Sequence, residues 1–295
     1  MPTDPHADRT SFEAPGSPSP LIEVPELADA LQSGTPPVIL DVRWSLTGDG
    51  YDDFLAGHIP GAQFADLDRD LAQPPGSGGR HPLPTPGMLE ALFARTGVTP
   101  GRSVVVTGQR DTSIAARAWW LLRWAGHDEV RVLDGGFQAW AAAGLPTQSG
   151  PTSGSPAVHV PAVRTGAMPT VDADGAAALA GGAASGSVLL DARAAERYRG
   201  EVEPVDPVPG HIPGAVNLPL AEIHRPDGTL LPAGELRGVF AAAGVTDGVR
   251  AAASCGSGVT ACSLILAADI AGRRLALYPG SYSGWCALGR PVEAG

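Results

Sequence analysis

The chain has 295 residues, a hydrophobic content of 43% and a net charge of -11, which is room for two ordinary domains with real cores. That acidity argues against a nucleic-acid partner on electrostatic grounds. All 20 basic residues are arginine, so no lysine can form a Schiff base or hold pyridoxal phosphate, and three scattered cysteines make neither a disulfide scaffold nor a four-thiolate metal site.

The N-terminus lacks the basic start and apolar core of a signal peptide, and no apolar run approaches the ~20 residues that span a bilayer. Residues 1–20, rich in Pro, Ser, Asp and Thr, read as a disordered tail. Pro25 to Leu31 has helical spacing with proline in its first turn, and Val38 to Arg43 is a buried strand that ends in charge. After Gly57-His58-Ile59-Pro60-Gly61-Ala62 comes a Gly/Pro loop from Pro74 to Pro86. A helix (Met88 to Thr96), a strand (Ser103 to Thr107), a helix (Ser113 to Ala125) and a strand (Val130 to Leu133) follow, closed by Asp134-Gly135-Gly136-Phe137-Gln138-Ala139-Trp140.

The unit then repeats. Val188 to Arg193 answers Val38 to Arg43, Gly210-His211-Ile212-Pro213-Gly214-Ala215 answers the first histidine motif, and Tyr278 to Trp285 answers Leu133 to Trp140. Alternating strands and helices in each copy imply two α/β domains with mainly parallel sheets, at 21–147 and 169–295, joined by a Pro/Ser/Gly/Thr-rich linker at 148–168.

The second copy holds the chemistry. Ala251 to Ser254 is a short strand, Cys255-Gly256-Ser257-Gly258-Val259-Thr260 is a tight loop, and a helix begins at Ala261. Glycines let the loop turn its N–H groups inward, and a helix N-terminus favours a nearby thiolate. Counting back from the paired tryptophans sets Arg110 opposite Cys255, so the first copy has no nucleophile and supplies a wall of the site. Cys262 and Cys286 read as packing residues.

Cys255 to Ala261, the tandem and both His-Ile-Pro-Gly-Ala motifs together resemble the rhodanese superfamily, specifically its 3-mercaptopyruvate sulfurtransferases, over residues 21–295. The resemblance implies two tandem rhodanese-like domains, each with a mainly parallel five-stranded sheet flanked by helices. It implies sulfur transfer through a Cys255 persulfide, with no metal or organic cofactor, to cyanide or a thiol acceptor such as a thioredoxin-like protein. Gly256, Gly258, Val259, Thr260 and Ala261 are then the loop that cradles the outer sulfur, and Ser257 is the proton donor. His58 is expected to join Ser257 in a Ser-His-Asp relay with Asp49, Asp52 or Asp53, whereas His211 is structural.

Arg197 matches the family's carboxylate-binding arginine, and Arg193 is a further substrate-side arginine that organises the loop. A second family arginine is replaced by Asp206, which Arg110, Arg43 or Arg199 could compensate. The relatives that prefer thiosulfate carry cations just after the cysteine, where this chain has Gly256 and Ser257. Thiosulfate sulfurtransferase and a persulfide carrier serving a partner protein are the alternatives. A Cys-x5-Arg phosphatase is disfavoured by Ala261. A soluble cytoplasmic protein is expected, because a functional free thiol needs a reducing compartment.

Overall fold

The structure, a computed structural model, describes residues 19–44, 50–152, 160–182 and 186–295. Residues 1–18 of the expected tail, the candidate acid Asp49 and linker residues 153–159 lie outside the described residues.

Two parallel sheets carry the chain. The first contains β1 (Leu21–Ile22), β2 (Val38–Asp41), β3 (Gln63–Phe64), β4 (Val104–Thr107) and β5 (Val130–Leu133) in the order β1-β5-β4-β2-β3. The second contains β6 (Ser187–Asp191), β7 (Val216–Asn217), β8 (Arg250–Ser254) and β9 (Leu275–Leu277) in the order β7-β6-β8-β9. Among the described residues every pairing between these strands is parallel. Strands covered on both faces read as continuous apolar runs, which is why Val38-Ile39-Leu40 and Val104-Val105-Val106 are legible and fully buried. The second sheet has four strands rather than the five expected. The counterpart of β1 shrinks to one bridge between Thr170 and Leu277, beside Pro169, which has no N–H to extend a ladder.

The helices are α1 (Val24–Leu31), α2 (Gly50–Ala56), α3 (Leu67–Asp70), α4 (Pro86–Thr96), α5 (Ala115–Trp124), α6 (Gly136–Ala142), α7 (Ala173–Ala180), α8 (Ala195–Tyr198), α9 (Ala233–Ala242), α10 (Ala261–Ile270) and α11 (Ser281–Ala287). Helix α4 shows how local chemistry sets the ends. Thr85 Oγ1 caps its start by accepting the Met88 N–H at 3.3 Å, and Gly97, at φ +76°, stops it.

The repeat is reproduced side chain by side chain. Arg43 pairs with Asp41 and donates to the Gly57 carbonyl, as Arg193 pairs with Asp191 and donates to the Gly210 carbonyl. Each guanidinium lies over an aromatic ring, Phe137 at 4.4 Å and Tyr282 at 4.0 Å. Trp140 and Trp285 donate their indole N–H groups to Pro146 and Pro291.

The two halves share a hydrophobic core. Helix α10 is buried nearly all round and packs against α5, whose Ala116, Trp119, Trp120 and Leu121 are fully buried. Hydrogen bonds between Thr112 and Ser263 and an ion pair between Arg123 and Asp269 cross the same seam. In the second sheet β6 and β8 are neighbours although β7 comes between them in sequence, so the chain reverses direction across the sheet there. The crevice beyond their carboxyl ends is where α/β proteins bind ligands. Arg193 follows β6 and Cys255 follows β8.

Candidate active site

Cys255 leaves the end of β8 and is 1% exposed. Its N–H donates to Ser281 Oγ at 3.0 Å, and its carbonyl accepts the Tyr282 N–H at 2.9 Å, so the start of α11 grips the Cys255 backbone. Ser281 has φ +49° and is the one non-glycine residue at positive φ among the described residues. A strained residue held under a candidate nucleophile fits the tendency of such geometry to gather at functional sites. The Gly258 N–H points back at Cys255 Sγ from 3.1 Å. Gly258 has φ +78°, and a Cβ there would stand 2.4 Å from the Pro279 carbonyl oxygen, so only glycine permits this turn.

In the first domain the Phe137 N–H donates to the Gly108 carbonyl and the Gln138 N–H to that of Gln109. These repeat the bonds of Tyr282 to Cys255 and Ser283 to Gly256. The residue opposite Cys255 is therefore Gly108, not Arg110. The stretch from this residue to the paired tryptophan is two residues longer in the first domain, one before its helix begins and one after, which displaces a count from the tryptophans.

A cleft of about 510 Å³ opens over Cys255, Gly256, Ser257, Val259 and Thr260. The second domain adds Arg193 and Arg197 to its walls, and the first domain adds Trp44, Leu67, Arg80, His81 and Ile114. The first-domain loop around Arg80 reaches deep into the second domain. The Arg80 N–H donates to Ser283 Oγ at 3.1 Å. Gly79, at φ +102°, lies so close to the Gly280 carbonyl that a Cβ would stand 2.7 Å from its oxygen.

This loop corrects the expected relay. His81 Nδ1 is 2.8 Å from Ser257 Oγ, and His81 Nε2 is 3.0 Å from Asp68 Oδ1. Asp68 sits on α3, where Asp66 caps the helix, and its other oxygen accepts the Trp44 indole N–H at 3.1 Å. With Nε2–H donating to Asp68, Nδ1 is left to accept the Ser257 hydroxyl proton. Burial pushes the His81 pKa down, against the upward pull of Asp68, which keeps the imidazole neutral and able to accept.

His58 is elsewhere. Its Nδ1 is 2.8 Å from the Phe54 carbonyl oxygen, its Nε2 is 3.2 Å from Thr152 Oγ1, and its ring stacks on Phe54 at 3.9 Å. His211 does the same with the Tyr198 carbonyl and the Tyr198 ring. The arrangement is thus the same in both halves, one of which has no cysteine. Neither Asp52 nor Asp53 bonds to His58, and the Asp53 carbonyl instead accepts from Arg43.

Arg193 belongs to the duplicated framework too. Its donors go to Asp191, Glu203 and the Gly210 carbonyl, and its side chain is nearly sealed from solvent. Arg197 is more open and pairs with Glu203 at 2.6 Å and Asp206 at 3.3 Å. Asp206 also pairs with Arg80. Burial raises the Asp206 pKa, while the two arginines oppose that shift.

Arg117, wholly buried on α5, has no carboxylate partner among the described residues. It donates to the carbonyls of Gly258 at 3.1 Å, His81 at 3.1 Å and Leu71 at 3.3 Å. Cys262 is buried, its thiol donates to the Gly258 carbonyl, and burial pushes its pKa up to about 12. Cys286 is half-buried and its pKa is also raised by burial.

His81, Asp68, Arg80 and Arg117 were not singled out from sequence. The available signal was Gly79-Arg80-His81-Pro82, a charged and titratable pair set inside a glycine- and proline-rich loop. The exchange between domains is reciprocal: His224 of the second domain reaches the first domain's loop, its Nε2 2.9 Å from Thr112 Oγ1.

These features define a tandem α/β protein built around one loop cysteine at a domain seam. The model of the rhodanese-like domain matches residues 23–143 and again 175–288. A Mycobacterium tuberculosis protein named "Putative thiosulfate sulfurtransferase SseB" is 42% identical over 281 residues, 93% of this chain and 97% of that one. A Pseudomonas aeruginosa protein named "Probable 3-mercaptopyruvate sulfurtransferase" is 42% identical over 266 residues, 88% of this chain and 92% of that one. The solved 3-mercaptopyruvate sulfurtransferase from Leishmania major matches with a TM-score of 0.79 at 32% identity, covering 95% of this chain and 77% of that one. The chain belongs to the rhodanese family, as a two-domain sulfurtransferase.

Proposed function

We propose that this sulfurtransferase takes sulfur from 3-mercaptopyruvate, carries it as a persulfide on Cys255 and delivers it to a thiol or to cyanide. The observation that carries the choice of donor is the Ser257–His81–Asp68 line, which opens onto the same cleft as Cys255. The Cys255 thiolate attacks the donor sulfur, an S–S bond forms, and the C–S bond breaks toward carbon. The electron pair left on carbon is the enolate of pyruvate. It takes a proton from Ser257, and the donor's thiol proton restores the relay through His81, so donor and thiolate become pyruvate and an anionic persulfide. Loop N–H groups between Gly256 and Ala261, with Gly258 already turned to the sulfur, stabilise the outer sulfur's charge.

Thiosulfate is the second reading, favoured by the name of the Mycobacterium tuberculosis relative. Against it, the loop itself carries no cation and burial holds His81 neutral. Residues 169–295 are read as the catalytic domain and 21–147 as the supporting one. A thioredoxin-like protein in a reducing cytoplasm is the fitting acceptor. Among the described residues no helix is long and apolar enough to cross a membrane.

The test compares pyruvate release from 3-mercaptopyruvate with thiocyanate formation from thiosulfate and cyanide, on the wild type and Cys255→Ser. Dominant pyruvate release, abolished by the substitution, supports the first reading. Dominant thiocyanate formation, also abolished, supports the second. Full activity of Cys255→Ser would overturn both.

A further inference from the structure

The region around Asp206 poses a charge problem. Asp206 is on the second domain, its side chain is 1% exposed, and a carboxylate so placed needs partners. Arg197 supplies one from the same domain, and Arg80 supplies the other from the first domain. The loop bearing Arg80 is locked into the second domain by its backbone bond to Ser283 and by the close approach of Gly79 to Gly280.

The guanidinium nitrogens divide into two sets. Asp206 is met by Arg80 Nη1, whereas Glu203 and Asp206 are met by Arg197 Nε and Nη2. The remaining terminal nitrogens, Arg80 Nη2 and Arg197 Nη1, converge above Gly256. They lie 2.8 Å and 3.7 Å from the point where a Cβ would stand on that residue. Two charged donors from different domains thus meet at one spot beside Cys255, on the wall of the cleft. Two such donors suit a ligand with two equivalent anionic oxygens, and a carboxylate is that ligand.

We propose that Arg80 is a donor-binding residue, which with Arg197 holds the carboxylate of the sulfur donor, and that Asp206 is the positioning residue that aims it. This rests on the reading of the donor as an α-keto acid thiol. It makes the donor site incomplete in either domain alone. It also assigns the second guanidinium to none of Arg43, Arg110 or Arg199. Arg43 is bound to Asp41, Arg110 donates to the Pro226 carbonyl, and Arg199 pairs with Glu201 at the surface.

The test measures kcat and KM for 3-mercaptopyruvate and for 1-mercaptopropan-2-one, the same keto thiol with a methyl in place of the carboxylate. Arg80→Gln is expected to lower kcat/KM for the acid by roughly tenfold to a hundredfold, mostly through KM, and to leave the ketone within about threefold. Equal losses on both donors, or no loss on either, would reduce Arg80 to an interface residue and overturn the proposal. The charge exchange Arg80→Asp with Asp206→Arg keeps the ion pair and returns a guanidinium from the opposite domain. It should recover much of the acid's kcat/KM relative to either single variant, and a double variant no better than the singles counts against the proposal. If the wild type releases neither ketone product nor pyruvate and gains no persulfide from either donor, the donor reading itself fails and takes the proposal with it. A working wild type with an indifferent Arg80→Gln fails the proposal alone.

Discussion

Arg117 of the first domain donates to the carbonyl of Gly258 in the second, 3.1 Å away, and with its other terminal nitrogen to the carbonyl of His81. One buried guanidinium thus ties the Cys255 loop to the loop that bears His81. Replacing it with Met should lower stability by about 2–4 kcal/mol, since it leaves buried carbonyls without donors. It should also lower kcat, because both loops lose their shared anchor. Urea midpoints and kcat on the same preparations check this. Arg117→Lys should rescue little, because a single ammonium does not reproduce the planar fork.

His81 and His58 separate by readout. His81→Gln is expected to lower kcat for 3-mercaptopyruvate by roughly 10²–10⁴, the range for a lost general acid–base group. His58→Gln should leave kcat near the wild-type value and cost stability, because it loses the Phe54 stack and carbonyl contact. Steady-state kinetics beside thermal melts distinguish the two. The opposite pattern would return the relay to His58.

Acid should act on His81 with a definite sign. The folded pKa lies below the ordinary 6.5, so the unfolded chain takes up the proton first as pH falls. Stability from this group is complete above 6.5 and declines as pH falls from there through the folded value. The relay needs neutral imidazole, so its contribution to kcat should persist at pH 6.5 and fade only below it. A pH–kcat profile of the wild type against His81→Gln isolates that limb.

The three thiols should differ in reactivity. A sulfur donor without acceptor is expected to add one sulfur atom to the wild type and none to Cys255→Ser, as read by intact mass. Cys262, with its pKa pushed up to about 12 and no exposure, should resist iodoacetamide at about pH 8, while Cys286 reacts slowly. Label found first on Cys262 would contradict this ordering.

Ser281 supports Cys255 from a left-handed backbone conformation. Ser281→Ala keeps the strain and leaves the buried Cys255 N–H unpaired, a loss of about 1–3 kcal/mol. Ser281→Gly loses the same bond but relieves about 1 kcal/mol of backbone strain, so it should unfold at a higher urea concentration than the alanine variant.

Much of the protein is written in its sequence. Runs such as Val38-Ile39-Leu40 announce buried parallel strands because both of their faces must be covered. The paired His-Ile-Pro-Gly-Ala motifs announce the tandem, and Cys255 between a strand and a helix marks the candidate nucleophile. These features depend on neighbours along the chain, which a sequence displays directly. The line of Ser257, His81 and Asp68 does not emerge this way, because the three meet only when a loop of one domain enters the other. The same motif that revealed the repeat pointed to His58, which, like His211 in the other half, meets a backbone carbonyl and stacks on an aromatic ring. Asp206 stood out as a replaced arginine, but its pairing with Arg80 arises for the same reason. Local pattern and composition determined the elements, the repeat and the loop thiol. The seam between α5 and α10 decided which titratable groups surround that thiol, because their distances are set by packing between domains and not by spacing along the chain.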